Sequence, residues 1–290
     1  MSILLIGNQG QLGAELDQIL KSKNEKLITV DREQLDLTNG DSIRQTIEKN
    51  KPKVIINCAA YTAVDRAESE PETSKLVNAI APQIMAEEAC KLSSFLIHIS
   101  TDYVFNGEKN KAYLETDITQ PLGVYGNTKL EGEMGIKNNC DKYIIIRTAW
   151  VYGVFGKGNF VKTMLRLGQE REELKVVADQ IGSPTWTYDL AIAISEILPK
   201  LSSEIVGIYH YTNSGVCSWY DFAVTIFEEA KKMGFPLKIK KVIPIITEEY
   251  PTPAKRPAFS VLSTRKISTL LGENPPHWRS SLQKMLTQLT

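Results

Sequence analysis

Ser2-Ile3-Leu4-Leu5-Ile6 runs straight into Gly7-Asn8-Gln9-Gly10-Gln11-Leu12-Gly13 and then into a helical pattern. A short continuous apolar run suits a strand buried on both faces of a parallel sheet. Glycines directly after it permit a tight turn, close approach of backbone to a pyrophosphate and tight packing of the next helix. The first N–H groups of that helix have no partners within it and attract phosphate. Strand, glycine loop and helix in this order predict the opening unit of a dinucleotide-binding α/β sheet, although Gly-x-x-Gly-x-x-Gly differs from the Gly-x-Gly-x-x-Gly of many dehydrogenases. A second apolar run, Leu27-Ile28-Thr29-Val30, ends at Asp31, 18 residues past Gly13. An acid near that distance can accept hydrogen bonds from a ribose.

The alternation continues. A helix is expected around Ser42 to Lys49, a strand at Val54-Ile55-Ile56-Asn57, and a helix from Pro82 to Lys91 with proline in its first turn. Strands are expected at Phe95-Leu96-Ile97-His98-Ile99 and Tyr143-Ile144-Ile145-Ile146, with a helix opened by Pro121 between them. Alternating strands and helices imply a Rossmann-like, doubly wound parallel sheet. Ligands of such sheets bind beyond the carboxyl ends of the strands, so Gly7, Asp31, Asn57, Thr101 and the loop after Arg147 should share one rim. Residues 1–150 read as the dinucleotide-binding domain. Residues 151–290 read mainly as a smaller C-terminal substrate-binding lobe, partly interleaved with the sheet. In it a flexible loop is expected at Gly153 to Gly158, a strand at Leu174 to Ala178, a helix at Pro184 to Leu198, and an irregular stretch from Ile243 to Pro257, which holds four prolines.

Tyr125 and Lys129 lie four residues apart, and Ser100-Thr101 precede them at the end of the expected strand. Residues four apart share a helix face. A free phenol ionises near pH 10; a neighbouring ammonium favours the phenolate and lowers that value, which makes the pair a proton donor for a carbonyl. The spacing alone also occurs on solvated helices, so the glycine loop gives it its meaning.

The balance of 34 basic and 34 acidic residues argues against nucleic acid or an anionic membrane as the main partner. The expected ligand is a small molecule. No basic stretch precedes an apolar segment at the N-terminus, and no run approaches the roughly 20 apolar residues that span a bilayer. Cys58, Cys90, Cys140 and Cys217 form neither Cys-x-x-Cys nor a histidine-paired motif, as expected of reduced thiols in a cytoplasmic protein.

Gly7-x-x-Gly10-x-x-Gly13, Asn57-Cys58-Ala59-Ala60-Tyr61-Thr62-Ala63-Val64-Asp65, Ser100-Thr101-Asp102-Tyr103-Val104-Phe105, Tyr125-Gly126-Asn127-Thr128-Lys129 and Arg147-Thr148-Ala149-Trp150-Val151-Tyr152 together resemble the extended short-chain dehydrogenase/reductases, specifically the dTDP-4-dehydrorhamnose reductases. Asp179-Gln180-Ile181-Gly182-Ser183-Pro184-Thr185 and Pro251-Thr252-Pro253-Ala254-Lys255-Arg256-Pro257 extend the resemblance over nearly the whole chain. It implies reduction of the C4 ketone of a dTDP-sugar by NADPH or NADH. It also implies catalytic roles for Thr101, Tyr125 and Lys129, with Lys129 also on the nicotinamide ribose. Cofactor contacts are implied for Gly7, Gly10, Gln11, Leu12, Gly13, Asp31, Arg32, Asp36, Leu37, Ala59, Ala60, Tyr61 and Thr62. Substrate contacts are implied for Val64, Asp65, Thr101, Asp102, Tyr103, Trp150, Asn159, Phe160 and Arg256, although Trp150 equally suits core packing.

Asp31 favours NADH, whereas Arg32 could face the 2′-phosphate of NADPH. Some relatives are dimers bridged by magnesium; Glu15 stands at a matching place, but Tyr188 occupies the position of a second ligand, so no required metal is expected. A homodimer stays open. A nucleotide-sugar epimerase or 4,6-dehydratase would share most of these motifs, but the acid pair of a dehydratase is incomplete, because Tyr103 follows Asp102. A non-catalytic regulatory subunit of the methionine adenosyltransferase type would not need Thr101, Tyr125 and Lys129 intact. A dinucleotide-sensing repressor would need a basic groove that the neutral charge does not suggest.

Overall fold

The structure, a computed structural model, describes residues 1–23 and 25–290. Strands β1 (Ser2–Ile6), β2 (Lys26–Val30), β3 (Val54–Asn57), β4 (Phe95–Thr101) and β5 (Tyr143–Thr148) alternate with helices α1 (Gln11–Ser22), α2 (Gly40–Asn50), α3 (Val64–Ala67), α4 (Pro71–Lys75), α5 (Ala81–Lys91) and α6 (Val124–Asn139). The chain then continues through β6 (Val151–Tyr152), α7 (Phe160–Glu170), β7 (Glu173–Val177), β8 (Ile181–Gly182), β9 (Thr185–Trp186) and α8 (Thr187–Ile197). It ends with β10 (Gly207–His210), β11 (Cys217–Ser218), α9 (Trp219–Lys232), β12 (Lys241–Ile245), α10 (Arg265–Leu271) and α11 (Trp278–Thr287).

Six strands form one parallel sheet in the order β10-β5-β4-β3-β1-β2. Alternate residues of each strand face opposite layers. Ile3, Leu5, Val54 and Ile56 pack with Leu12, Leu16 and Ile19 of α1 and Leu190, Ile194 and Ile197 of α8. Leu4, Ile6, Ile55 and Leu96 pack with Ile43 and Ile47 of α2 and Met85 and Ala89 of α5. Both faces are covered, which is why these strands read as continuous apolar runs rather than alternating ones. The winding direction reverses between β1 and β3, the place where doubly wound sheets open a ligand crevice. A second core joins Tyr152, Val161, Leu165, Trp186, Phe222, Ile226, Leu282 and Met285.

Four expectations about elements change. The helix carrying Tyr125 starts at Val124 rather than at Pro121; Glu68 Oε1 accepts from the Val124 N–H at 2.8 Å and places a carboxylate at the helix N-terminus, where the dipole favours it. Pro82 stands in the first turn of α5, as expected, but α5 has no free start: it continues a helical run from Pro71 through a π turn at Leu76–Ile80. Pro184 does not begin a helix, since Thr185–Trp186 first form a strand with Val151–Tyr152 and α8 starts at Thr187. The proline-rich stretch is not irregular throughout. Lys241–Ile245 pairs in parallel with Glu173–Val177, and Pro244 is tolerated because the strand has a single neighbour and an edge that needs no donor.

Candidate active site

The glycine loop closes on itself through Gly7 N–H to Val30 O at 2.8 Å and Gly10 N–H to Gly7 O at 3.0 Å. Gly7 has φ +87°, a conformation that side chains disfavour, and a Cβ on Gly13 would stand 2.1 Å from Gly7 O. The helix can therefore start hard against the turn only because both residues lack side chains. Among the described residues no side chain caps the α1 N-terminus, so its first N–H groups are left for an anion. Leu12 is buried in the sheet core, which leaves its backbone as the part able to meet a phosphate. Gln11 Oε1 accepts from Asn159 Nδ2 at 2.8 Å, and Asn159 also caps α7. Asn159 thus stands beside the glycine loop, and Phe160 packs against Trp219 and Phe222. The Gly153–Gly158 loop is pinned by Lys162 Nζ, which donates to Val154 O at 2.6 Å and Gly156 O at 3.2 Å.

Around the loop, Asp31 Oδ1 accepts from the N–H groups of Glu33 at 2.9 Å and Gln34 at 3.0 Å, while Oδ2 accepts from Gln9 Nε2. Arg32 is exposed beside it. Asp36 accepts from both the N–H and hydroxyl of Thr38, which hold its carboxyl below the usual range, and Leu37 leans on the α2 layer. Ala59 to Thr62 are held from behind. Asn78, on the π turn, accepts from Tyr61 N–H at 2.8 Å and donates to Tyr61 O at 3.1 Å. The Tyr61 hydroxyl donates to Glu70 at 2.6 Å. Asn78 carried no motif in the sequence, and its partner lies 17 residues away. The donors and the cradle suit a dinucleotide: a pyrophosphate at the α1 N-terminus, a ribose near Asp31, and a nicotinamide toward Tyr61 and Tyr125.

Thr101 ends β4 and is 5 % exposed; its hydroxyl accepts from Tyr103 N–H at 3.2 Å and donates to Asp102 Oδ1 at 3.0 Å. Burial pushes the Asp102 carboxyl up to about 6, against the hydroxyls of Ser260 and Thr101, which favour the carboxylate. Tyr125 sits edge-on to Tyr103 with ring centroids 5.5 Å apart. Gly126 allows this approach, since a Cβ there would meet Tyr103 O at 2.3 Å. The expected depression of the phenol is outweighed by burial. Burial raises the Tyr125 phenol, and the Thr101 hydroxyl beside it only partly opposes that. Lys129 Nζ is turned inward, donating to Ile99 O at 2.6 Å and lying 3.1 Å from His98 Nε2.

On the opposite wall Arg256 Nη2 meets Asp65 Oδ2 at 2.8 Å and Nη1 donates to the Tyr103 hydroxyl at 3.2 Å, while Ala254 N–H donates to Asp65 Oδ1. Burial pushes the Tyr103 phenol up to about 12. Val64 is half-buried one residue away. Trp150 has φ +48° and stacks on Trp219 with centroids 3.6 Å apart and planes 10° off parallel. Trp219 carried no expectation, because it lies 69 residues downstream of Trp150 and outside every motif. Beneath the site Glu133 is clamped by Arg147 through Nε at 2.9 Å and Nη2 at 2.6 Å and accepts from Ser100 Oγ. Glu15 is buried against Thr187, and burial pushes it up to about 7; the neighbouring Tyr188 is 37 % exposed.

The family model described as the RmlD substrate binding domain matches residues 1–290. A dTDP-4-dehydrorhamnose reductase of Escherichia coli strain K12 is 43 % identical over 296 residues, covering 100 % of this chain and 98 % of the relative. The crystal structure of a dTDP-4-dehydrorhamnose reductase from Clostridium acetobutylicum superposes with a TM-score of 0.92 at 42 % identity, covering 100 % of this chain and 99 % of that one. A Bacillus anthracis dTDP-4-dehydrorhamnose reductase in complex with NADP gives a TM-score of 0.91 at 39 % identity, covering 99 % and 98 %. With likeness of this extent over the full length, and with the glycine loop, Thr101, Tyr125 and Lys129 along one rim, the chain belongs to the dTDP-4-dehydrorhamnose reductases of the extended short-chain dehydrogenase/reductase family.

Proposed function

We propose that this enzyme reduces the C4 ketone of dTDP-4-dehydro-6-deoxy-L-mannose to dTDP-L-rhamnose with NADPH or NADH. The observation that carries this reading is the 43 % identity to a named reductase across the whole chain, with the proton-donating residues in place. The reduced nicotinamide supplies the hydride when bound. Tyr125 delivers its phenolic proton to the ketone oxygen, and the Thr101 hydroxyl hydrogen-bonds that oxygen. Lys129 holds the nicotinamide ribose and, as the ammonium, makes the phenol easier to ionise. Asp102, Tyr103, Asp65, Val64 and Arg256 orient the sugar diphosphate, and Trp150 supplies an aromatic face. Residues 1–150 form the cofactor-binding domain and also supply one wall of the sugar site, while residues 151–290 form mainly a substrate-binding lobe interleaved with the sheet through β10, a reading supported by Arg256 reaching across to Asp65 and Tyr103. We place the enzyme in the cytoplasm, in keeping with its four unpaired thiols. The deciding experiment follows oxidation of NADPH and NADH by absorbance with a panel of dTDP-4-keto sugars. Turnover of the 6-deoxy-L-mannose derivative is expected, and no turnover with any member would overturn the reading.

A further inference from the structure

Behind Tyr125 and Lys129, three buried polar side chains from three elements lie in a line. Ala59 N–H donates to Asn57 Oδ1 at 3.1 Å. A backbone N–H can only donate, so this bond fixes which end of the Asn57 amide is oxygen. The other end, Nδ2, lies 3.1 Å from His98 Nδ1 and can only donate to it. His98 Nδ1 is therefore the unprotonated nitrogen. The ring is fully buried and neutral, because burial drives it well below its usual value. A neutral imidazole carries one N–H, so the proton sits on Nε2 and points at Lys129 Nζ, 3.1 Å away. An ammonium has donors and no acceptor; an amine has a lone pair. Only the amine completes the line, with its own N–H groups free to reach Ile99 O.

We propose that Asn57 and His98 are positioning residues that hold Lys129 as the neutral amine in the cofactor-free enzyme. The proposal deepens the reductase reading and rests on Lys129 being the lysine of the proton-donating pair. The charges that reach the amine are few. Glu133, on its own helix, favours the ammonium, but Arg147 from β5 and Ser100 from β4 already occupy that carboxylate. His98 reaches it from β4, and Tyr125 stands one turn away on the same helix. Burial, partly opposed by Glu133, brings Lys129 down to about 8, and the directed chain acts in the same sense. Forming the ammonium takes one proton from solvent. It also moves the imidazole proton from Nε2 to Nδ1, where it faces the Asn57 amide. The sequence thus sets an energetic toll on the charged lysine that is independent of Tyr125.

The test reads the histidines and the lysine directly, without turnover. The chain has three histidines, His98, His210 and His277, so nitrogen-15 spectra of histidine-labelled, cofactor-free enzyme can be assigned by single substitutions. The expected result is His98 protonated at Nε2 and bare at Nδ1; an Nδ1–H tautomer or an imidazolium would overturn the proposal. Carbon-13 titration of the Lys129 ε position, assigned with Lys129→Met, supplies the second readout. Asn57→Ala releases the tautomer and should raise the midpoint by about one pH unit, the worth of roughly one hydrogen bond. His98→Gln can accept from Asn57 and donate to Lys129, so it should leave the midpoint in place. An unmoved midpoint in Asn57→Ala, or an equal shift in His98→Gln, sinks the idea. If Asn57→Ala does not fold, Asn57→Asp replaces it; a carboxylate accepts from both Ala59 N–H and Nδ1–H, and must raise the midpoint and switch the tautomer. A failed substrate panel with the expected spectra would cost the reductase reading and leave the chain of hydrogen bonds standing.

Discussion

Lys129 and Arg256 are two basic side chains of the same cleft, held in opposite ways. Lys129 is 1 % exposed, and its bonds run inward to β4. The Arg256 side chain is 18 % exposed, its partner Asp65 is 40 % exposed, and both are bound across the cleft to residues that could release them to a ligand. Charges in a dry site interact strongly and cost much to misplace, whereas a half-wetted ion pair is worth little and re-forms easily. The hydride-side wall is thus placed by buried bonds within the protein, whereas the sugar-side wall can be remade by a ligand. Substitutions on the first wall should change the rate; those on the second should change affinity.

The largest expected effect is that of Tyr125→Phe, which keeps the ring against Tyr103 but removes the transferable proton. Its kcat should fall about 10²- to 10⁴-fold, with cofactor affinity unchanged by fluorescence titration. A variant keeping most of its kcat would remove Tyr125 from the chemistry. Lys129→Met should lose rate and also weaken cofactor binding, having lost a ribose contact. On the other wall, Arg256→Met should raise KM for the sugar nucleotide roughly tenfold or more, the usual worth of hydrogen bonds from a charged donor, and largely spare kcat. Equal loss in kcat would place Arg256 with the reacting atoms and erase the contrast between the walls.

A smaller change is expected from Asp31→Ala. Removing a carboxylate beside the 2′-position should shift preference toward NADPH several-fold, about 1 kcal/mol for an exposed charge. Equal KM values for both cofactors before and after would show that Asp31 only caps the turn at Glu33 and Gln34. The smallest effect is that of EDTA. Turnover and sedimentation should be unaltered, because Glu15 is committed to Thr187 and Tyr188 brings no carboxylate. Dissociation reversed by magnesium would make Asp189 the first residue to substitute.

The sheet was legible because each strand is a local apolar run followed by punctuation, and the rim followed because strand ends are local too. What escaped the sequence depends on distant partners. Asn57, His98 and Lys129 are separated by 41 and 31 residues, and nothing near His98 in sequence marks it as more than one polar residue in an apolar strand. The Tyr125 and Lys129 spacing placed the residues but not the inward turn of the amine, which depends on the Ile99 carbonyl. Strand Lys241–Ile245 was hidden because Pro244 reads as a breaker until its unpaired edge is known. The Trp150 and Trp219 stack likewise joins two residues with no shared motif.

Strand β10 and helix α8 come from the second half of the chain, yet β10 is the sixth strand of the central sheet and α8 covers α1. During synthesis this order has a price. A nascent chain that has emerged only to about residue 150 holds every nucleotide motif, but the apolar side of α1 faced by Leu190 and Ile194 is bare and the β5 edge has no neighbour. Such unpaired edges and uncovered faces invite association with other chains. The nucleotide half therefore cannot mature as a vectorial, N-terminus-first unit; it must await the strand that ends at His210. Truncation after residue 150 should leave an aggregating fragment rather than a miniature cofactor-binding protein, and coexpressed folding helpers should matter most within that interval of translation.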